Sequence, residues 1–300
     1  MQKWQSGYAT DCRSVQESSI LSFCSPGLFM ADYIDDKYAC LQDILRSLGS
    51  VIVAYSGGVD STFLLKAALD TLGTERVLAV TATSATLPAE DRDNAVALAR
   101  SIGARHVIVP ADELSSPDFA ANGTDRCYHC KRVRYDCFKR LQQELGIAYI
   151  VDGSNLDDLS DHRPGLRATE EMGVRCPLRE AGLRKDEIRQ LAKGLGLPNW
   201  NTPSQACLAS RFPYGTVITG ELLKKIDASE SYLRRLGFSP VRVRYHGDVA
   251  RIEVSYADIA RLLECGADVA SHLKKQGFTY VAVDVEGFRS GSLNEGLKRD

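Results

Sequence analysis

The sequence predicts an α/β protein, with a parallel sheet covered by helices on both faces, followed by a smaller α+β domain. Between about Ser50 and Asn155, short apolar runs alternate with segments of helical periodicity, which is the pattern of consecutive β-α-β units. Beyond Thr216 the order changes to helix, hairpin, helix and strand. A chain of 300 residues with 44% hydrophobic residues can fill both cores.

Local patterns predict each element in turn. In the first domain, apolar runs predict strands and apolar residues at helical spacing predict helices. The strands are expected over 51–55, 77–81, 106–109 and 148–151, and the helices over 89–102, 125–145 and 185–195. In the second domain we expect a helix over 221–236, a hairpin with a Gly-containing turn over 241–254, a helix over 256–276 and a strand over 280–283.

These elements divide the chain into two predicted domains, residues 36–215 and residues 216–300. The segment before them, residues 1–35, is mostly Ser-rich with weak periodicity. We expect it to be a disordered extension, because it offers no regular apolar face to bury.

Composition excludes some function classes. A net charge of −2 gives no general attraction to nucleic acid. No apolar run approaches the length of a membrane span, so we expect no membrane segment. Nine cysteines at irregular spacing, without a secretory signal, predict a reducing cytoplasm and metal or sulfur chemistry rather than disulfides.

The most informative stretch is the SGGVDS hexapeptide, which lies between a predicted strand and a predicted helix. Gly57 and Gly58 let backbone N–H groups surround an anion, and the helix N-terminus adds partial positive charge. Ser56 and Ser61 supply hydroxyl donors, and Asp60 supplies a carboxylate that can help to hold Mg²⁺. This SGGVDS loop therefore predicts that the protein binds the pyrophosphate part of ATP.

The ordinary alternative is a glycine-rich turn before an N-capped helix. The loop is not a Walker motif, because it lacks the Gly-Lys-Ser/Thr ending. It resembles the signature of the PP-loop ATP pyrophosphatases. That resemblance implies an adenine nucleotide alpha hydrolase-like sheet and the use of ATP to adenylylate a carbonyl or carboxylate oxygen, before ammonia or sulfur attacks.

Three cysteines form the second candidate site. Cys127 and Cys130 make a CxxC in a predicted helix, and Cys207 lies in a Pro-flanked loop. A CxxC alone is compatible with a zinc half-site, a redox pair, two iron–sulfur ligands or two unrelated cysteines. Together, three thiolates suit a [4Fe-4S] cluster with one iron left open for an extra sulfide.

With these cysteines, the chain resembles the LarE family of ATP-dependent sulfur transferases over about residues 36 to 297. The matching motifs are SGGVDS and residues 161–166, 199–201, 210–215, 241–244 and 287–291. Some members of that family sacrifice one cysteine, whereas others carry three cysteines and a [4Fe-4S] cluster. The resemblance therefore implies that Cys127, Cys130 and Cys207 are cluster ligands and catalytic residues of the second type.

A third set of candidates consists of arginines and acidic residues. Arg242 and Arg244 alternate with valines, so both project from one face of a strand, where they can bind a phosphate or form salt bridges. The resemblance implies a nicotinate-derived mononucleotide as substrate, with a phosphate that needs such a site. It assigns substrate contacts to Arg211, Arg242, Arg244 and Arg289, and it makes Glu230 and Glu253 candidate Mg²⁺ ligands.

The resemblance implies a complete reaction. ATP and Mg²⁺ would adenylylate the carboxylates of pyridinium-3,5-biscarboxylic acid mononucleotide, and sulfide from the cluster would convert them to thiocarboxylates for the nickel-pincer cofactor of lactate racemase. A sulfide donor such as a cysteine desulfurase would recharge the cluster. By analogy with the family, the protein is expected to form a homo-oligomer, a hexamer.

Three alternatives stay open. A tRNA thiolation enzyme also uses three cysteines, but it requires a basic surface and salt-dependent binding. An ammonia-dependent PP-loop amide ligase uses the same loop and leaves the cysteines without a function. A nucleotide-binding sensor would bind ATP without releasing pyrophosphate.

Overall fold

The computed structural model describes residues 26–160, 164–203, 206–289 and 291–293. It confirms the predicted fold class. Within these ranges, four parallel strands form one sheet in the order β3-β2-β1-β4, and three strands form a second sheet in the order β5-β6-β7. The strands of the first sheet are β1 Val51–Ala54, β2 Val77–Thr83, β3 His106–Pro110 and β4 Tyr149–Asp152.

The helices of the first part of the chain cover both faces of the parallel sheet. They are α1 Pro26–Leu48, α2 Val59–Leu72, α3 Ala89–Ser101, α4 Pro117–Ala120, α5 Arg126–Leu145, α6 Pro164–Glu171, α7 Pro177–Glu180 and α8 Lys185–Gly194. Val51 and Val53 of β1 pack in one core with residues of α1, α2 and α8, whereas Ile52 packs in another with Tyr135 and Phe138 of α5. This alternation explains why the central strands read as continuous apolar runs.

Regular structure is present before the predicted boundary at residue 35. Helix α1 begins at Pro26, so the boundary at residue 35 falls within a helix rather than at the end of a disordered segment. Its C-terminal half buries Leu41, Leu45 and Leu48 against the first core, which gives the helix its tertiary support. Residues 1–25 lie outside the described part of the chain.

The second sheet belongs to the predicted α+β part. Its elements are α9 Gly220–Arg235, β5 Val241–His246, β6 Val249–Val254, α10 Ile259–Glu264, α11 Gly266–Lys275 and β7 Tyr280–Val283. Strands β5 and β6 form the predicted antiparallel hairpin, and Gly247 at its turn has a φ of 66°. The single helix expected over 256–276 is instead two helices that meet at Cys265, because Gly266 disfavours helical continuity.

The second core draws on both predicted domains. Phe119, Leu208 and Phe212 pack with residues of α9, β5 and β6. The domain boundary at residue 215 therefore stays a prediction, and this hydrophobic core contains residues from both sides of it. Among the described helices, none combines the length and apolarity that a membrane span needs.

Candidate functional site

The SGGVDS loop connects β1 to the N-terminus of α2, at the carboxyl edge of the sheet. Gly57 has a φ of 76°, and a Cβ at this position would lie 2.9 Å from the Cβ of Ala95. Gly58 is the N-cap of α2, and within the described residues the start of this helix has no side-chain cap hydrogen bond. These amides and the helix dipole are therefore available to an anionic ligand.

The two serines of the loop contact each other. Their Oγ atoms are 3.1 Å apart, and Ser61 Oγ is also 3.1 Å from the carbonyl oxygen of Gly58, to which it donates. The backbone N–H of Gly58 donates to Ser56 Oγ at 3.3 Å. The predicted hydroxyl donors are thus brought together and also hold the curvature of the loop.

Two residues from later in the chain support the loop. A Cβ on Gly153, which follows β4, would lie 3.0 Å from the backbone nitrogen of Ser61, so only glycine permits this close approach. Asn199 donates from Nδ2 to the carbonyl oxygen of Gly57 at 2.9 Å and to Thr62 Oγ1 at 3.0 Å. Gly153 was not among the predicted site residues; its only signal in the sequence is that it directly follows an apolar strand.

Asp60 projects from the first turn of α2. Its Oδ2 accepts a hydrogen bond from Lys185 Nζ at 2.5 Å, while Oδ1 is buried and has no hydrogen-bond partner among the described residues. Burial raises the pKa of Asp60, Lys185 offsets part of this effect, and the like charge of Asp158 adds to it. A buried carboxylate oxygen without a donor fits a Mg²⁺ ligand, because a cation would replace the missing partner.

The three predicted cysteines lie within electrostatic reach of one another. Cys127 and Cys130 are in the first turns of α5, and Cys207 precedes a short 3₁₀ turn. Burial raises the pKa of Cys130 to about 12, and Glu113, Cys207 and Cys127 contribute to the increase. Cys127 is exposed as a residue, but the protein atoms around its thiol desolvate it and raise its pKa, with a further contribution from Cys207.

Within the described residues, the three thiols are not drawn together as ligands of a single metal ion. Within the described ranges, no three His, Cys, Asp or Glu side chains come together as a group that could hold a metal ion. Residues 204 and 205, directly before Cys207, are outside these ranges. The three thiols nevertheless fit a [4Fe-4S] cluster in the number and kind of their ligand atoms.

A partly buried ion pair beside these cysteines was not predicted from the sequence. Arg134 Nε donates to Glu113 Oε1 at 2.7 Å, and Cys130 Sγ lies 3.8 Å from the same oxygen. Arg134 also donates to Thr86 Oγ1 at 3.1 Å, and the carbonyl of Thr86 accepts from the N–H of Leu208. This pair thereby connects the CxxC helix to the loop that carries Cys207.

A second polar network joins α5 to the SGGVDS loop. Lys131 Nζ is 3.2 Å from Asp152 Oδ2, and Tyr135 donates to the same oxygen at 2.7 Å. Although burial opposes ionisation, Lys131 and the hydrogen bonds of Ser154 and Tyr135 lower the pKa of Asp152. Because Asp152 ends β4 immediately before Gly153, the network fixes the CxxC helix relative to the nucleotide loop.

Arg211 and Glu230 form a bidentate ion pair in the protein interior. The Nε–Oε1 and Nη2–Oε2 distances are 2.8 and 2.9 Å, and the side chains are 1% and 0% exposed. Arg211 Nη1 also donates to the carbonyls of Ala206 and Cys207. Glu230 accepts further bonds from Arg234 and from the N–H of Val243. A metal ion at Glu230 would have to displace an arginine.

The hairpin register confirms that Arg242 and Arg244 share a face. Arg242 lies opposite Glu253, and Arg244 lies opposite Arg251. Of the two roles expected for these arginines, phosphate binding or a salt bridge, Arg244 has the salt bridge. Its Nε and Nη2 atoms are each 2.9 Å from a carboxylate oxygen of Glu253, and its Nη1 donates to the carbonyl of Ser210 at 2.7 Å. Arg251 shares Glu253 at 3.1 Å.

Arg242 has a different environment. It donates to the carbonyl of Val241 at 2.9 Å, and its guanidinium lies 5.2 Å from the centre of the Phe288 ring. Burial, followed by the neighbouring Arg211, lowers the pKa of Arg242 to about 10. The other predicted arginine, Arg289, pairs with Glu286 at 2.5 Å. Arg211, Arg244 and Arg289 each pair with a glutamate. Among the predicted arginines, Arg242 is therefore the one whose N–H donors are bound to no carboxylate within the described residues.

A cavity of about 290 Å³ continues this basic face. Its lining residues are Arg211, Pro213, Tyr214, Arg244, His246, Arg251, Ser292 and Leu293. Burial and the arginines lower the pKa of His246, which indicates a positive local potential. The cavity is suited to an anionic group, and neither Arg251 nor His246 was among the predicted site residues.

Helix α3 connects the arginines to the nucleotide loop. Ala95 abuts Gly57, and Asp91, one turn earlier on the same helix, interacts electrostatically with Arg211 and Arg242. The SGGVDS loop, the cysteines and the basic face therefore adjoin one another.

Several known proteins are similar to this chain. A protein of Lactiplantibacillus plantarum named pyridinium-3,5-bisthiocarboxylic acid mononucleotide synthase is 42% identical over 263 residues, 88% of this chain and 95% of that protein. An uncharacterised Synechocystis protein is 42% identical over 268 residues, 89% and 100% of the two chains. One from Methanocaldococcus jannaschii is 30% identical over 240 residues, 80% and 91% of the two. The NAD synthase family profile matches residues 33–124.

Replacement of Gly57 by alanine should weaken ATP binding. The substitution combines a positive φ with a 2.9 Å approach to Ala95, so the loop must shift. We expect ATP affinity, measured by calorimetry, to fall by about tenfold or more. Gly49→Ala is the matched control, because Gly49 has a similar φ of 74° but no neighbour within 4 Å of the added atom. Equal ATP affinity in both variants would contradict the steric argument.

Glu230→Gln should destabilise the protein by about 3–5 kcal/mol at neutral pH, because it leaves the buried Arg211 without a counter-charge. Although burial opposes ionisation, Arg211 holds the pKa of Glu230 below its usual 4.5. The stabilisation is thus complete above that value and is lost as pH falls through the lower folded-state pKa. Denaturant unfolding at a series of pH values measures the free energy of unfolding of both proteins. The difference between variant and wild type should become smaller as the pH falls.

The control for this variant is Glu75→Gln, whose side chain is 92% exposed; it should change stability by less than about 0.5 kcal/mol. If Glu230 were instead a metal ligand, Glu230→Gln would keep its stability and lose its response to Mg²⁺.

Proposed function

This chain belongs to the LarE family of PP-loop enzymes, and on that premise we propose that it uses ATP to exchange carboxylate oxygen for sulfur on pyridinium-3,5-biscarboxylic acid mononucleotide. The product is the compound named by the Lactiplantibacillus relative, and it would serve nickel-pincer cofactor synthesis for lactate racemase. The observation that carries the proposal is that Cys127, Cys130 and Cys207 interact electrostatically with one another, and Cys207 also with Arg211.

In the first stage, a substrate carboxylate attacks the α-phosphorus of ATP and pyrophosphate leaves. The free amides at the start of α2 and the hydroxyls of Ser56 and Ser61 would bind the departing group. Asp60 would hold Mg²⁺, which supplies charge neutralisation when bound. The resulting acyl-adenylate carries AMP as its leaving group, which makes the carbonyl carbon open to attack by sulfur.

In the second stage, sulfide adds to the acyl carbon and AMP departs with the former carboxylate oxygen. We propose that Cys127, Cys130 and Cys207 hold a [4Fe-4S] cluster, which would supply the sulfide from its open iron. The raised pKa values of Cys127 and Cys130 mean that these thiols must release protons when metal binds. Arg126 and Arg134 favour the thiolate forms and would offset the negative charge.

The basic face would orient the substrate. Arg242 can donate to an anionic group, because Glu230 and Glu253 are bound by other arginines. The neighbouring cavity, lined by Arg244, Arg251 and His246, would accept the phosphate of the mononucleotide. Arg211 and Arg289 are proposed to act on the substrate through their neighbours, since both are paired with glutamates.

The remaining proposals concern cellular context. A sulfide donor such as a cysteine desulfurase would approach from the surface at Cys127, an exposed residue whose thiol is itself partly desolvated. We place the enzyme in the cytoplasm, where iron–sulfur ligands stay reduced, and propose that it forms a homo-oligomer, a hexamer by analogy with its family. No contact with nucleic acid or membrane is part of the proposal.

The cysteines decide between sulfur transfer and an ammonia-dependent ligase. Anaerobically reconstituted protein receives ATP, sulfide and the biscarboxylate mononucleotide, and products are identified by mass spectrometry. We expect one sulfur gained per oxygen lost over more than one turnover, and loss of multiple turnover in Cys127→Ser and Cys130→Ser. Cys265→Ser, which changes a thiol bonded to helix carbonyls, is the control.

Three results would contradict this prediction. Undiminished sulfur transfer in both cysteine variants would remove these cysteines from the reaction, and a product without sulfur would favour the ammonia-dependent ligase. A single turnover that leaves dehydroalanine in the protein would replace the cluster relay by a sacrificial cysteine.

Arg242→Ala should raise the KM for the mononucleotide by about 10- to 100-fold, because a charged hydrogen bond contributes roughly 1.5–3 kcal/mol. The KM for ATP should stay unchanged. Steady-state pyrophosphate release measures both constants. Arg235→Ala, at an exposed arginine on α9, is the control. An unchanged mononucleotide KM in Arg242→Ala would remove this arginine from the substrate site.

A further inference from the structure

Lys185 reaches the nucleotide loop from a distant part of the chain. It is the first residue of α8, and its backbone N–H donates to Asp157 Oδ2 at 2.8 Å, which fixes its position. From there its Nζ lies 2.5 Å from Asp60 Oδ2, with both side chains about one quarter exposed (26% and 25%). The ammonium group thus sits on the carboxylate that is the candidate ligand for a divalent cation.

The charges around Asp60 are balanced without a metal ion. Asp60 interacts electrostatically with one other carboxylate, Asp158, and with two cations, Lys185 and Arg189. The charges are balanced, but one hydrogen bond is missing, because Asp60 Oδ1 is buried without a hydrogen-bond donor among the described residues. Lys185 therefore compensates the charge of Asp60 and does not complete its coordination.

An ammonium group and a divalent cation cannot both occupy this carboxylate at contact distance without strong repulsion. The triphosphate of ATP changes the balance, because it brings negative charge next to both of them. Lys185 can then turn to a phosphate oxygen, since its side chain is flexible and its charge is a compact point. The carboxylate of Asp60 becomes available to a metal ion at the same moment.

We propose that Lys185 holds the place of the divalent cation on Asp60 in the nucleotide-free enzyme, so that the cation binds only together with the phosphates of ATP. Lys185 is in this sense a positioning residue, which acts through Asp60 and through the nucleotide. The proposal concerns ATP use alone and is independent of the sulfur chemistry.

The test is metal binding without turnover. Full-length protein without nucleotide is titrated with Mn²⁺, and free ion is counted by electron paramagnetic resonance. We expect weak binding in the wild type and at least about tenfold tighter binding in Lys185→Met. Lys185→Arg retains the charge and should stay as weak as the wild type. Asp60→Asn, added to Lys185→Met, should cancel the gain.

Lys66→Met is the matched control. Lys66 pairs with Asp70 at 2.6 Å on the same helix, with 29% and 35% exposure, so the variant also removes a partly exposed lysine from an aspartate of α2. Its Mn²⁺ affinity should equal that of the wild type. Thermal unfolding checks that each variant is folded, and Lys185→Gln repeats the test with a polar side chain.

A second arm adds a non-hydrolysable ATP analogue. The wild type should then bind Mn²⁺ much more tightly, and Lys185→Met should bind the analogue itself less tightly because one phosphate contact is lost. The proposal is overturned if the nucleotide-free wild type binds Mn²⁺ as tightly as Lys185→Met, if the gain persists with Asp60→Asn, or if the analogue leaves wild-type Mn²⁺ affinity unchanged. Each outcome is readable even if the protein transfers no sulfur.

Discussion

The buried ion pair between Arg211 and Glu230 is the interaction on which the second half of the molecule depends. Both side chains are almost completely removed from water, and two such charges are tolerated only when their donors and acceptors are satisfied. Arg211 reaches that state through the carbonyls of the Cys207 loop, and Glu230 through Arg234 and the N–H of Val243. One pair therefore fixes a loop, a helix and a strand relative to one another.

The same pair sets the electrostatics of the face that it supports. Glu230 is shared by Arg211 and Arg234, and Glu253 is shared by two further arginines, so this row carries more guanidinium than carboxylate charge. Arg242 bears the consequence, because burial and its neighbours lower its pKa to about 10. An anionic ligand would relieve that repulsion. Most of these arginines form ion pairs that hold the fold together. Their summed charge creates a positive electrostatic potential at Arg242, which can use it to bind an anion.

Sequence patterns predicted those features that depend on local periodicity. The strands, most helices and the face shared by Arg242 and Arg244 follow from the alternation of side chains along a strand, and family membership follows from the ordered motifs. Partners from distant segments could not be predicted in this way. Glu113 and Lys185 lie in no motif and meet the site only through tertiary packing. Likewise, the pattern around Glu230 cannot distinguish a metal ligand from an ion-pair partner.

The arrangement of the three sites has a chemical reason in the proposed reaction. An acyl-adenylate is attacked by water as well as by sulfur, so the activated carboxylate must stay close to its sulfur source. The structure provides a short connection, in which Gly57 abuts Ala95, Asp91 on the same helix interacts with Arg211, and Arg211 holds the carbonyl of Cys207. These contacts place the nucleotide loop and the loop that carries Cys207 in one neighbourhood. Activation and sulfur attack can therefore occur without release of the intermediate.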